Sequence, residues 1–180
     1  ETRQLLASGA YPCRNIDQNM ADLAAQIAAN ETGQQELLKM IDHFGLDVVQ
    51  AYMGHVQDNA EESVRRVIDR LHDCAFTYPM DGGRQIQVKI KVDRQKREAS
   101  LDFSGTSPQQ RGNYNAPTAV CKAAVLYVFR TLVGDEIPLN EGCFKPLKIN
   151  IPKKTMLSPE YPAAVISGNT EVSQAVTDCL

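Results

Sequence analysis

The side chains best suited to chemistry are concentrated between Asp102 and Pro117, in the sequence DFSGTSPQQRGNYNAP. This stretch combines hydroxyls, carboxamides, a guanidinium and two glycines, a mixture that an apolar core does not require. It lies between an alternating strand pattern and an apolar helical pattern. We therefore predict a loop carried by rigid elements, which is where binding and catalytic groups usually lie.

Asp102 and Arg111 are the two predicted catalytic residues of this loop. Leu101 and Phe103 share one face of a predicted strand, which sends Asp102 to the opposite face of the sheet. Asp102 could act as an acid or base and Arg111 as a clamp for an anion, because a guanidinium matches a carboxylate with two parallel hydrogen bonds. The alternative is a surface ion pair between the two side chains.

Two segments, GNYNAP before a helix at Pro117 and GNTEVSQ before a helix at Glu171, deliver Gly and Asn to a predicted helix start. Helix N-termini present unpaired N–H groups and a partial positive charge, so each could hold a carboxylate, a phosphate or a developing oxyanion. We expect the two loops to form one site. The alternative is that Asn115, Asn169 and Thr170 only cap helices and that the glycines only allow turns.

The hydroxyls of Ser104, Thr106 and Ser107 have two interpretations. They could hydrogen-bond a substrate, or they could cap the backbone of the turn. None is expected to be a catalytic nucleophile, because the three histidines all lie in the predicted helical part and no local base is available.

The sequence predicts neither a metal site nor a nucleotide loop. His55 and His72 are predicted to lie on one helix, where their spacing directs them to different faces. Gly82 and Gly83 are followed by a strand pattern instead of a helix, so they do not form a Walker or dinucleotide-binding motif.

The first part of the chain shows helical periodicity. Apolar positions predict one helix over 16–30 and, with Thr32 and Gln35 as a capping box, a second that ends at Gly45. A single stripe from Asp47 to Cys74 predicts one long helix of roughly 40 Å.

After Cys74 the period changes to that of strands, and residues 85–92 alternate strictly between apolar and polar. The fold class is therefore α+β, with a helical part over 1–74 and a mixed α/β part over 75–180. The predicted elements of the mixed part are a hairpin of 85–92 with 99–103, a buried helix over 118–133, a strand over 145–151, a buried strand over 163–166 and a helix from Glu171.

Composition bounds the class of protein. The chain has 180 residues, 43% of them hydrophobic, and a net charge of −3, which argues against a generally cationic nucleic-acid surface. No apolar run reaches the length of a membrane span, and five scattered cysteines favour a reducing, cytoplasmic compartment. The start, ETRQLLASG, has neither an initiator Met nor a signal core, so we expect an internal fragment of a longer protein.

Several multi-residue motifs, in this order and at these intervals, resemble the hydantoinase B/oxoprolinase family. They are YPCRNIDQNMADLAAQIAAN, MDGG, DFSGTSPQQRGNYNAP, IPLNEG and AAVISGNTEVSQ, and together they extend over almost the whole chain. The closing motif has Thr170 and Val172 where the family more often has Val and Thr. Asn169, Glu171, Ser173 and Gln174 are its matching positions.

The resemblance implies a B-type subunit or domain that works with an A-type, actin-like ATPase. In the family this pair opens cyclic amides such as 5-oxoproline or N-methylhydantoin at the expense of ATP, and related members carboxylate acetone or acetophenone. We expect a hydrolase acting on cyclic-amide C–N bonds that is an oligomer at full length. ATP and Mg are expected on the partner, and any metal is expected to be held by residues outside this chain, since a His-rich motif lies upstream in the family.

We therefore expect this segment to handle the activated substrate and to be inactive in isolation. Alternatives are a carboxylase-type subunit and a non-catalytic module at a subunit interface. The predicted substrate-binding residues are Ser104, Asn113, Asn115, Asn169, Glu171 and Gln174.

Overall fold

The computed structural model describes residues 1–134 and 137–180. Within these ranges it contains five α-helices and one four-stranded sheet, which confirms the predicted α+β class. The chain forms two compact units, Glu1–Met53 and Gly54–Leu180. Helices precede the first strand, which begins at Cys74, as the predicted change from helical to mixed structure requires.

The first unit is helical. Its elements are α1 (Thr2–Ala7), α2 (Ile16–Phe44) and the first part of α3 (Leu46–Ile68). The prediction of two helices over 16–45 was wrong, because α2 is continuous. The Thr32 hydroxyl donates to the Ala28 carbonyl at 2.9 Å, so it bonds to the preceding turn instead of capping a new helix. Gly45 ends α2 as predicted, with a φ of +85° and its N–H bonded to Ile41.

The prediction that α3 extends to Cys74 was also wrong, because this helix ends at Ile68. Leu71 donates its N–H to the Ile68 carbonyl at 3.0 Å, which tightens the final turn. Asp73 then accepts the N–H of Val92 at 2.8 Å and so begins to pair with the sheet. The chain from Cys74 onward is a strand that the sequence patterns did not indicate.

The sheet has the order β1-β2-β3-β4. Its strands are β1 (Cys74–Met80), β2 (Arg84–Asp93), β3 (Glu98–Asp102) and β4 (Leu147–Asn150). The first three form antiparallel pairs, which confirms the predicted hairpin, and β4 lies parallel to β3. The alternation of β2 is preserved, since Ile86, Val88 and Ile90 are buried while Gln85 and Lys89 are exposed.

Two helices of the second unit follow the loops that the sequence singled out. They are α4 (Thr118–Leu132) and α5 (Glu171–Cys179), both close to their predicted bounds. α4 buries Cys121, Ala124, Val125 and Phe129, but Tyr127 is 61% exposed, so this helix is buried on one side only. The largest fully buried side chains of the core include Phe103, Leu101, Ile86, Ile68, Met156 and Leu157.

The predicted buried strand over 163–166 does not form. Ile166 is 68% exposed and begins a short 3-10 helix, Ile166–Asn169. The backbone here bonds to another loop instead of to a sheet, and a short apolar run does not distinguish these outcomes. Of the helices within the described ranges, none combines the length and apolar composition needed to cross a bilayer.

Candidate functional site

The loop from Asp102 to Pro117 begins at the end of β3 and is attached to the neighbouring strand β2. The Gln85 N–H donates to the Ser107 hydroxyl at 2.9 Å, and the Ser107 N–H donates to the Gln85 carbonyl at 3.0 Å. The Thr106 hydroxyl accepts the N–H of Gln87 at 3.1 Å. For Thr106 and Ser107 the structure therefore favours the backbone-capping interpretation, because these hydroxyls continue the ladder of the sheet.

Asp102 lies on the sheet face opposite the buried Leu101 and Phe103. Its Oδ1 accepts from the Ser104 hydroxyl at 2.7 Å and from Asn150 Nδ2 at 2.8 Å. The Ser104 hydrogen bond is the largest cause that lowers the pKa of Asp102 below its usual range. Asp102 is therefore a carboxylate at neutral pH, which suits a proton acceptor better than a general acid.

Asn115 is completely buried and holds the rest of the loop together. Its Oδ1 accepts the N–H of Gln110 at 2.8 Å. Its Nδ2 donates to the carbonyls of Gln110 at 3.1 Å, Gly112 at 3.0 Å and Ala164 at 2.8 Å. We expect Asn115 to position the loop instead of contacting substrate, because these bonds use both ends of its carboxamide.

The loops that precede α4 and α5 contact each other directly. The Ser167 N–H donates to the Asn113 carbonyl at 3.2 Å. A Cβ on Gly168 would lie 2.9 Å from the Asn115 carbonyl oxygen and 3.0 Å from Ala116 Cα, so only glycine fits without displacing backbone. The close contact explains why this position is glycine.

Both helix N-termini lack a side-chain cap hydrogen bond, so neither Asn115 nor Thr170 caps its helix. Asn115 is used within its loop, and the Thr170 hydroxyl bonds to the carboxylate of Glu171. That hydrogen bond is the largest cause lowering the pKa of Glu171. The side chains of Asn115 and Thr170 therefore do not serve as helix caps, which was the alternative interpretation.

An open cleft of about 510 Å³ lies beside the loop. Gln109 joins its two sides, since its amide donates to the Glu160 carbonyl at 3.2 Å and accepts the Glu160 N–H at 2.7 Å. Lys154 forms an ion pair with Glu160 at 3.7 Å. The cleft is lined by Gln109, Gln110, Arg111, Lys154 and residues 160–164.

Arg111 is exposed in this cleft, and its guanidinium makes no hydrogen bond or ion pair with any residue in 1–134 or 137–180. The alternative interpretation, a surface ion pair between Arg111 and Asp102, is therefore wrong for the described structure, because the two side chains do not pair. Asp102 is instead held by Ser104 and Asn150 on the sheet. The structure therefore has a cation in the cleft with no partner in the described part of the chain, and a carboxylate fixed at the end of β3, without a direct contact between them.

The remaining predicted substrate contacts have exposed side chains. Asn113 and Asn169 belong to the two loops in contact, and Glu171 begins α5. Gln174 bonds to Asp178 at 2.8 Å on the exposed side of α5. None of these four lines the cleft. Their substrate roles stay predictions.

Sequence patterns did not indicate that Lys154 and 160–164 belong beside Arg111. These residues lie in an irregular passage with no periodicity, and they reach the loop through the Gln109 and Asn115 hydrogen bonds. These residues are close to Arg111 because of tertiary contacts between segments that are far apart in the sequence. Among the residues the structure describes, no three His, Cys, Asp or Glu side chains are grouped as a metal site.

The fold and the motifs together define the class of protein. The hydantoinase B/oxoprolinase family model matches residues 1–180, and the chain belongs to this family. The resemblance predicted from the motifs is confirmed.

Particular relatives are similar over most of the chain. Identity is 45% to 5-oxoprolinase 1 of Arabidopsis thaliana, over 92% of this chain and 14% of that protein. It is 42% to 5-oxoprolinase of Dictyostelium discoideum, over 93% of this chain and 14% of that protein. The chain therefore spans about one seventh of the length of these relatives.

A solved structure shares the fold. The crystal structure of ATP-dependent caprolactamase from Pseudomonas jessenii matches with a TM-score of 0.74 at 19% identity, over 97% of this chain and 31% of that chain. At this identity the likeness concerns the fold alone.

Proposed function

We propose that this chain is part of a B-type subunit or domain of an ATP-dependent cyclic-amide hydrolase, of the 5-oxoprolinase or N-methylhydantoinase type. The observation that carries the proposal is the contact between two family motifs beside the cleft that Arg111 lines. The loop containing Arg111 is bonded to the loop containing Ala164 through Asn115, at 2.8 Å. Identity above 40% to two 5-oxoprolinases supports the choice of reaction.

The chemistry assigned to this chain is the handling of an activated amide. Activation by ATP places negative charge on the substrate. The guanidinium of Arg111, which no described residue pairs, suits such a group. Asp102, ionised and oriented by Ser104 and Asn150, is the candidate proton acceptor for attack of water at the amide carbon. Breaking the C–N bond then opens the ring, and the released nitrogen takes up a proton. A second water releases the activating phosphoryl group as inorganic phosphate and leaves a carboxylate.

The partner assignment follows from the same proposal. An A-type, actin-like ATPase subunit or domain would bind ATP and Mg, and the complete protein would be a cytoplasmic oligomer with a small cyclic amide as substrate. The hydantoinase B assignment supports an assembly of several subunits or domains. Any metal ligands would come from outside this chain.

The test uses the full-length protein with its ATPase. We expect ATP-dependent ring opening of 5-oxoproline or N-methylhydantoin, and none by residues 1–180 alone. Asp102→Ala and Arg111→Ala in the full-length protein should abolish turnover and leave the complex intact. Bicarbonate-dependent formation of a carboxylated product, without amide hydrolysis, would instead support the carboxylase alternative.

A second candidate, a subunit-interface module, is favoured by one observation in the first unit. All of α2 is described, and none of its residues is buried. Ile27 is 68% exposed and Phe44 is 57% exposed, whereas large apolar side chains of a surface helix are usually buried against other protein. We propose that protein outside this chain covers α2 in the full-length assembly. Loss of assembly with residual chemistry, in the loop variants above, would favour this role for the loop as well.

A further inference from the structure

Arg84 contacts the loop of the candidate site although the sequence patterns gave it no role. It is the first residue of β2 and follows the MDGG motif. Its guanidinium Cζ lies 4.3 Å from the centroid of the Tyr114 ring. Tyr114 is flanked by Asn113, whose carbonyl binds the second loop, and by the buried Asn115. Arg84 is thus held at the junction of the two motif loops.

One buried donor of the Arg84 guanidinium has no partner among the described residues. Its Nε is buried and has no hydrogen-bond partner. Within the described ranges the guanidinium forms no hydrogen bond or ion pair, and its one polar interaction is with the Tyr114 ring. Buried donors are rarely left unpaired in folded proteins. The Nε–H of Arg84 is therefore a buried donor for which the described residues supply no acceptor.

The preceding turn leaves room for this guanidinium. Gly82 has a φ of +72°, and a Cβ at this position would lie 3.1 Å from Arg84 Nη2. The turn backbone and the Tyr114 ring therefore both lie close to the guanidinium. Asp81 of the same turn does not form an ion pair with it among the described residues, although it is the nearest acidic residue in sequence.

We propose that Arg84, stacked on Tyr114, binds an oxyanion of the reacting molecule, either the carboxylate of the substrate or the phosphoryl group of the activated amide. The inference rests on the proposed function and adds a second anion contact to Arg111. A guanidinium pairs with carboxylate and phosphate oxygens through two parallel bonds, and stacking on an aromatic face fixes the plane of that fork. Arg84 is then a specificity residue, since it selects substrates or intermediates that carry an oxyanion.

The experiment measures binding in the full-length protein, so it does not depend on turnover. The probes are 5-oxoproline, inorganic phosphate and the uncharged lactam 2-pyrrolidinone, titrated calorimetrically into wild type, Arg84→Gln and Arg84→Lys. Arg70→Gln is the matched control, because Arg70 is exposed and its side chain has no hydrogen bond or ion pair within the described part of the chain. Thermal unfolding checks that each variant is folded.

Arg84→Gln should weaken the binding of one anionic probe by about ten- to a hundredfold, and Arg84→Lys should weaken it less. Loss confined to 5-oxoproline identifies the substrate carboxylate, and loss confined to phosphate identifies the phosphoryl group. Unchanged binding of both anions overturns the inference, as does an Arg84→Gln protein whose only defect is unfolding or disassembly, since Arg84 would then pair with a carboxylate of the protein. If wild type binds the anions through Arg84 but never opens a cyclic amide, the proposed function fails and the anion site stands.

Discussion

Asn115 Nδ2 donates a hydrogen bond of 2.8 Å to the carbonyl oxygen of Ala164, across 49 positions of sequence. This bond connects the loop after β3 to the loop before α5. The same side chain also fixes Gln110 and Gly112, so the position of Arg111 depends on a buried residue that need not touch substrate.

Removing the Asn115 carboxamide should release both loops. In Asn115→Ala the N–H of Gln110 and three carbonyls lose their partner, which we expect to cost about 2–4 kcal/mol. Hydrogen exchange of the full-length protein should become faster over residues 109–116 and 163–169. The matched change Asn113→Ala removes an exposed side chain and should leave exchange unchanged. Equal effects of the two variants would show that the carboxamide does not hold the loops.

Gly168 tests the contact between the loops from the other side. In Gly168→Ala the added Cβ meets the Asn115 carbonyl oxygen and Ala116 Cα, and we expect a loss of about 1–3 kcal/mol in the free energy of unfolding. Gly33→Ala in α2 adds the same methyl where nothing lies within 4 Å, and it should stabilise by about 0.5–1 kcal/mol. Urea denaturation measures both. A neutral Gly168→Ala would mean that the loops separate readily.

The ionisation of Asp102 gives a prediction in pH. Its pKa is lowered in the folded protein, so its ionisation stabilises the fold above the unfolded pKa of about 3.9, and this contribution is lost as the pH falls through the folded pKa. Ser104→Ala removes the largest cause and should raise the pKa of Asp102. If Asp102 accepts a proton in catalysis, the acidic limb of kcat/KM should then move to higher pH.

Ser100→Ala is the control for that profile, because the Ser100 hydroxyl faces the Lys91 carbonyl at 3.5 Å instead of Asp102. Its acidic limb should match wild type. If Ser104→Ala does not shift the acidic limb of kcat/KM, Asp102 is not the group that accepts the proton.

The exposed apolar side chains of α2 predict an assembly defect. Ile27→Glu or Phe44→Glu should weaken association of the full-length protein by about tenfold or more, since a buried charge at an apolar interface lacks a partner. Gln35→Glu places the same charge at an exposed polar position of α2 and should have no such effect. Light scattering after gel filtration gives the assembled fraction. Intact assembly in both apolar variants would contradict the interface role of α2.

Local patterns predicted the elements with strong periodicity. The strict alternation of β2, and the apolar helix after Pro117, needed only neighbouring residues to be recognised. β1 was missed because it is an edge strand whose residues are mostly exposed, so it has no clean alternation. The predicted capping box at Thr32 was wrong because the Thr32 hydroxyl donates to the preceding turn within a continuous helix.

The site was predictable in its motifs and not in its geometry. The polar residues at 102–117 and a second Gly-Asn loop led to the prediction of one site, and the structure brings these two loops into contact. That they form a site stays a prediction. Hydrogen bonds between residues far apart in sequence determine the geometry of the loops and of the cleft. Asn115 became a buried anchor, and Lys154 and Glu160 came to line the cleft beside Arg111. Neither outcome has a signal in local sequence, because each depends on residues far along the chain.

In the proposed function, the Arg111 cleft acts on the activated amide. The direct measurement is kcat/KM for ATP-dependent ring opening of 5-oxoproline by the full-length protein with its ATPase. It compares Arg111→Gln with Arg66→Gln, an exposed helical arginine whose ion pair among the described residues is with Glu62. We predict a loss of about 100-fold for Arg111→Gln with assembly intact, and a change within about twofold for Arg66→Gln. Wild-type kcat/KM in a folded, assembled Arg111→Gln protein would contradict the claim.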